Sequence, residues 1–82
     1  MISLDSLRAV LNMAAEEDCW VCLRSGNSYN IFKIEQGIID EFLKDYIPTA
    51  NGQELRYVKD NSLISSVAYA KDWNYFKNTM VD

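Results

Sequence analysis

The chain has no histidine. The commonest general base and the commonest metal-ligating side chain are therefore both missing, which excludes a Ser-His-Asp triad and a histidine-bound zinc hydrolase. Cysteine is scarce: Cys19 and Cys22 can close one disulfide at most, too few for a secreted cysteine framework. Glycine is scarce as well. Gly26, Gly37 and Gly52 stand far apart, so no glycine-rich loop is present to cradle phosphates, and each is expected in a turn. No apolar run approaches membrane-spanning length: the first such stretch, residues 2–15, is broken by Asp5, Arg8 and Asn12 and has no basic start. Neither a secretory signal nor a transmembrane span is expected, and the default address is the cytoplasm. Positive charge is in the minority too, with eight Lys and Arg against twelve Asp and Glu, a net charge of −4. Whole-molecule attraction to phosphate backbones or anionic lipid is thus lacking, and nucleic-acid binding requires a local basic patch.

What is present describes an ordinary globular chain of 82 residues, 49% apolar and 24% charged. We expect a single domain spanning residues 1–82, burying about 60–65% of its unfolded surface and gaining stability from a partner subunit. Leu4, Leu7, Val10, Leu11 and Ala14 recur at helical spacing, which predicts a helix over about residues 3–16. Ser3 suits the N-cap, and the acids Glu16, Glu17 and Asp18 oppose the helix dipole and end it. From Cys19 the period becomes that of a strand: Val21 and Leu23 alternate with Trp20, Cys22 and Arg24, then Tyr29, Ile31 and Lys33 with Asn30, Phe32 and Ile34. The turn cluster Ser25-Gly26-Asn27-Ser28 between them makes a hairpin.

Residues 37–47 read two ways. Ile38, Ile39, Phe42, Leu43, Tyr46 and Ile47 share a helical face, and that periodicity favours a short helix; as a strand, Ile38, Phe42 and Tyr46 share one face. After the loop at Pro48 to Gly52, Leu55, Tyr57 and Val58 open a strand, Asp60-Asn61-Ser62 makes a tight turn, and Leu63, Ser65, Val67 and Tyr69 alternate with Ile64, Ser66 and Ala68. Trp73, Phe76 and Met80 at helical spacing predict a terminal helix over about residues 71–80.

Candidate chemistry is thin. Cys19-Trp20-Val21-Cys22 is a C-x-x-C, but a helix precedes it and a strand follows, the reverse of a redox pair at a helix N-terminus. An extended chain separates the two Cα atoms by about 10 Å, beyond the reach of a disulfide, and a zinc site needs two further soft ligands. We expect two half-buried structural thiols, no metal and no cofactor. Asp40 with Glu41 or Asp45 can be drawn as an acid-base pair, but on a helix they form a solvated polar face, with no catalytic residue and no enzyme implied. Trp20, Trp73, Tyr75 and Phe76 can stack bases, or anchor a core or an interface.

The order of features resembles the Sm-like (LSm/Hfq-type) small-barrel family. The resemblance rests on a first helix, then Val21-x-Leu23-x-Ser25-Gly26-x-x-Tyr29, the Asp40-Glu41-Phe42 segment, Tyr57-Val58-Lys59-Asp60, and Leu63-Ile64-Ser65-Ser66-Val67. It covers roughly residues 4–69, and the added terminal helix is of a kind associated with divergent phage-derived members. Asp60 stands where the family has a histidine, Asn30 or Ile31 replaces a strand glycine, and Asn61-Ser62 are additional. The resemblance implies an α+β chain: a helix, then a small, strongly bent, SH3-like five-stranded antiparallel barrel over about residues 19–70, and a short C-terminal helix. In that case the middle segment is a strand. The alternative is an α-ββ-α-ββ-α small sheet domain.

The resemblance further implies a homo-oligomeric ring joined through the edges of the fourth and fifth strands, with weak RNA binding at the pore. Asp40, Phe42, Lys59, Asp60 and Asn61 are the candidate RNA-binding residues, Phe42 as a stacking surface and Lys59 as a charge repeated by symmetry. Because Asp60 puts an acid beside every lysine, Lys59→Ala should weaken such binding and Asp60→Asn should strengthen it. The competing expectation is a phage or mobile-element accessory protein that contacts host machinery by protein–protein interaction, and neither reading involves a membrane.

Overall fold

The computed structural model describes residues 1–80, with side chains through Lys77. The first helix, α1 (Leu4–Glu17), starts where the sequence places it. Ser3 Oγ accepts the Ser6 N–H at 3.0 Å while Ser6 Oγ accepts the Ser3 N–H at 2.9 Å, a reciprocal cap in which a serine takes the usual glutamate position. Leu7, Leu11 and Ala14 form its buried stripe. The helix stops at Asp18, which adopts the left-handed conformation at φ 56°, and Cys19 N–H returns to the Ala14 carbonyl at 2.8 Å.

The chain then forms β1 (Trp20–Ser25) and β2 (Ser28–Phe32) around the two-residue turn Gly26-Asn27, with Gly26 at φ 59°. A positive φ at the first turn position matches the right-handed twist of the strands, and glycine reaches it without a Cβ clash. A 3-10 turn (Gln36–Ile38) leads into the short helix α2 (Ile39–Leu43). Gly37 lies within that turn and has no positive φ, so it does not supply the conformational freedom expected of it. There follow β3 (Tyr46–Pro48), β4 (Leu55–Tyr57), β5 (Leu63–Ile64), β6 (Ser66–Ala70) and α3 (Trp73–Met80). The side chain of Met80, expected on the aromatic stripe, lies outside the described residues.

The fold is α+β, with helices at both ends of the described chain and two antiparallel sheets of three strands, β2-β1-β6 and β3-β4-β5. No closed barrel forms among the described residues. The middle segment departs from the barrel reading: it is helical over residues 39–43, with Ile39 and Leu43 one turn apart and buried at 3% and 6% exposure. The middle strand implied by the family resemblance is therefore a helix followed by a three-residue strand, and β2 and β3 do not pair. The observed order stands nearer to the α-ββ-α-ββ-α alternative, with more strands in its second half.

The last strand is also not continuous. Ile64 faces the core, and the next residues packed against it are Val67 and Tyr69, so the inward phase changes between β5 and β6. A one-residue slip flips every side chain of a strand to the other face. Ser65 absorbs that slip: its N–H donates to the Arg24 carbonyl at 2.9 Å, so the chain leaves β4 and joins β1 at this residue. The fourth and fifth strands of the five-strand reading thus pair with each other inside one chain, and the outer strands of the two sheets are β2 and β6 in one and β3 and β5 in the other.

One core joins the elements. Leu7, Leu11, Val21 and Leu55 are fully buried, with Ile2, Leu23, Ile34 and Ile64 around them. Cys22 is buried as well although it points away from Val21 and Leu23, because Phe76 of α3 packs at the outer face of β1 and β6 at 3% exposure. Both cysteines are free and buried rather than half-buried. Among the described residues no helix is long and apolar enough to cross a membrane.

Candidate binding cleft between the two sheets

Where β2 and β3 fail to meet, the molecule opens into a cleft of about 420 Å³. Its floor is aromatic. Phe32, Phe42, Tyr46 and Tyr57 form a continuous series of rings with successive centroids 5.3, 5.1 and 5.1 Å apart and planes tilted by 35°, 31° and 31°. Local rules produce it. Phe42 precedes the core residue Leu43 on α2 and so faces the sheet opening, Tyr46 begins β3 one helical turn later, and Tyr57 is its direct cross-strand partner. Phe42, Tyr46 and Tyr57 line the cleft, with Tyr29 and Asn30 of β2 on the opposite wall.

Two carboxylates complete the lining, Asp45 and Asp60. Asp60 is fixed by its own loop: its Oδ1 accepts the Ser62 N–H at 2.9 Å and the Ser62 hydroxyl at 2.7 Å. These two bonds favour the ionised form and hold the Asp60 carboxyl below its usual range. The loop is closed by Asn61, whose φ is 63°, and by the Asn61 N–H donating to the Tyr57 carbonyl at 2.8 Å. Asp45 lies at the other side, its carboxylate 3.5 Å from Lys59 Nζ and its carbonyl accepting the Val58 N–H at 2.9 Å. Tyr46 sits between these groups. Burial above all, and then Tyr57, Asp45 and Asp60, push its phenol up to about 12. The carboxylates raise it because a phenolate beside them adds like charge.

No lysine or arginine lines this cleft. Lys59 is occupied by Asp45 at the rim, and Arg24, on the outer side of the hairpin, lies over the Tyr29 ring at 5.9 Å and donates to the Gly26 carbonyl at 3.0 Å. The cleft is therefore negative and aromatic.

The five residues expected to bind RNA are divided by the fold. Phe42 and Asp60 line the cleft, and Lys59 reaches its rim through Asp45. Asn61 serves the turn with its backbone and is exposed. Asp40 is elsewhere: it pairs with Arg8 of α1, in a smaller groove bounded by Leu4, Leu43 and Lys44. Tyr29, Asn30, Tyr46 and Tyr57 belong to the cleft without having been expected there, as do Asp45, considered only as an acid-base partner of Asp40, and Ser62, whose hydroxyl serves Asp60. An aromatic at 42, 46 and 57 is the signal in the sequence, since a helix-to-strand junction can stack residues four apart.

The other aromatic candidates do not join the cleft. Lys33 covers the Trp20 ring at 5.0 Å and pairs with Asp18 at 3.2 Å, Lys77 lies over Trp73 at 5.9 Å, and Tyr75 meets the buried Phe76 edge-on at 5.5 Å. Burial pushes the Cys22 thiol up, away from thiolate chemistry. Among the described residues no three His, Cys, Asp or Glu side chains are grouped to hold a metal ion.

The fold and the cleft together define a small α+β chain with a pre-formed, acidic and aromatic concavity between two sheets. No family model matches the chain, nor does a curated protein or a solved structure.

Proposed function

We propose that this chain is a protein-interaction module and that the cleft between its sheets is where a partner protein docks. The charge of the lining supports this reading most directly: Asp45 and Asp60 face the aromatic floor with no cation among the lining residues. Two carboxylates repel a phosphate backbone, whereas they complement a partner with positive charge. Exposed rings held in a fixed stack supply large contact area at little conformational cost, as interface anchors do. The unpaired edges of β2 and β3 flank the cleft and offer backbone hydrogen bonds to an extended segment. Asp60, kept ionised by Ser62, suits a fixed anion rather than a general acid, in keeping with binding and not catalysis. A phage or mobile-element accessory role acting on host machinery is one setting for such a module.

A second reading is the Sm-like RNA-binding ring. The observation favouring it is the last strand, which bends at Ser65 from one sheet into the other behind an N-terminal helix, as a small, strongly bent barrel requires. Against it stand the acidic cleft and the pairing of β4 with both β3 and β5, which leaves β4 no free edge for a contact between subunits.

A displayed peptide library selected on the immobilised chain separates the two. Binders that lose about tenfold or more in affinity on Tyr57→Ala support the protein module. Retention of oligouridine that weakens in Lys59→Ala, strengthens in Asp60→Asn and falls steeply with salt overturns it in favour of the ring, whose other requirement is an oligomeric mass by light scattering.

A further inference from the structure

We infer that the cleft takes an arginine side chain of the partner, with its guanidinium held between Asp45 and Asp60 over the Tyr46 and Tyr57 rings. This rests on the reading of the cleft as a protein-docking site and names the chemistry that the site selects.

The lining decides the sign of the ligand. Asp45 and Asp60 contribute two negative charges, and the one lysine in reach lies outside the cavity. An anion is repelled, and a neutral group leaves both carboxylates poorly matched as they lose water. The floor then decides among cations. Tyr46 and Tyr57, packed on each other as tilted rings 5.1 Å apart and 31° from parallel, bring aromatic surface to the cleft beside the carboxylates. A planar guanidinium stacks on such a surface and still directs its donors sideways to carboxylates, while a compact, strongly hydrated ammonium does neither as well.

Tyr46 gives an independent indication. It is only 7% exposed as a whole residue, yet it lines the cleft; its hydroxyl has no hydrogen-bond partner among the described residues, and since no sealed-off side-chain oxygen there is unpartnered, it is in reach of solvent through the cleft. Here the oxygen opens onto the cavity between two carboxylates, where a ligand N–H can donate to it. With the Asn30 side chain on the far wall, the cleft offers acceptors around a donor-rich group.

Lys59 already behaves as a weak stand-in for that group. Its ammonium approaches Asp45 at 3.5 Å with both side chains partly in water. A well-formed charge-assisted bond is nearer 2.7–2.9 Å, so the lysine is loosely held and an arriving guanidinium displaces or shares it. The consequence is opposite in sign to that for RNA. Removing Lys59 frees Asp45 and should strengthen arginine binding, and neutralising Asp60 should weaken it.

The test is a titration followed by heteronuclear NMR with acetyl-Gly-Gly-Arg-Gly-Gly-amide, taken to about 10 mM because one side chain in one site binds weakly. The control replaces arginine by citrulline, which keeps the shape and removes the charge. We expect shifts confined to the amides of residues 28–30, 42–46 and 57–62, with citrulline at least about tenfold weaker. Lys59→Ala should bind up to about fivefold tighter, the range of an exposed ion pair, and Asp60→Asn about three- to tenfold weaker. Both positions are exposed, and preserved peak dispersion establishes that the variants fold. The inference is overturned by equal binding of citrulline, by shifts elsewhere, by the reverse signs in the two variants, or by no shift at the highest peptide concentration. If the peptide library yields binders that depend on Tyr57 but contain no basic residue, the docking reading stands and the arginine assignment fails. If oligouridine moves the same amides with the opposite response to the two variants, both fall to the RNA reading.

Discussion

The half of the molecule built on β1 has strands of six, five and five residues covered on both faces, by α1 within and α3 without, whereas the half built on β4 has strands of three, three and two. The outer face of that second sheet is left in water: Ile47 is 52% exposed and Leu63 36%, on either side of Arg56 in the same cross-strand row. The first half is held by long ladders and aliphatic burial. The second relies on one deep residue, Leu55, on the ring series from Phe32 to Tyr57, and on the side-chain-closed loops at Thr49 to Glu54 and Asp60 to Ser62. Short strands leave backbone and rings accessible, which is why the cleft lies in that half: a sheet that stops early can present its interior. Elements drawn on for binding commonly come from the less stable part of a fold.

The largest effect should come from truncating the core of the first half. Leu11→Ala, at a fully buried position, is expected to cost about 3–5 kcal/mol, read as a lower denaturant midpoint. Leu55→Ala is chemically the same change in the second half and should cost less, about 2–3 kcal/mol, because a short sheet beside an open cleft relaxes into the void more easily. Equal losses would remove the distinction between the halves.

Next comes the response to base. A tyrosine whose folded pKa lies above its unfolded value keeps its proton in the native state while the unfolded chain releases one. The stability it contributes is intact below the unfolded pKa of about 10 and is lost as pH rises toward about 12. Two pH units correspond to at most about 2.7 kcal/mol, and the water in the cleft reduces this. Denaturation between pH 10 and 12 should therefore show a steep decline in the wild type, while Tyr46→Phe should show a shallower one. Parallel slopes would place the hydroxyl in a fully solvated setting.

Smaller effects test the termini of the first half. Ser3→Ala removes the cap on α1 and should cost about 1 kcal/mol. Asp18→Gly should be the mildest, stabilising by about 0.5 kcal/mol, since glycine occupies the left-handed position freely and the lost pair with Lys33 is exposed. A net loss for Asp18→Gly would show that the ion pair outweighs backbone strain.

Those two sites were legible in advance, because caps and amphipathic stripes depend on residues close in sequence. Ser3, the stripe through Leu7, Leu11 and Ala14, the Gly26-Asn27 hairpin and the Asp60-Asn61-Ser62 turn all follow from local spacing, and the structure has them all. For residues 39–43 the helical period was the better guide than the resemblance to a five-stranded barrel: the segment is a helix that buries Ile39 and Leu43 and leaves Asp40 and Glu41 in water. Of the five candidate residues, Phe42 and Asp60 line the cleft and Lys59 reaches its rim. Asp40 lies apart, because two residues of helix, about 200° of rotation, separate it from Phe42 and turn it to Arg8.

The sequence by itself determined the first and last helices, the hairpin, the turns and the acidic balance, because each depends on residues within a few positions of one another. Only the tertiary structure decided that the last strand breaks phase at Ser65, that β2 and β3 stay apart, and that Tyr46 and Tyr57 meet beneath Asp45 and Asp60. Those outcomes depend on which distant segments share one core. Spacing along a strand gives its period, while the strand it pairs with and the side on which a sheet stays open are set by packing among segments far apart in the chain.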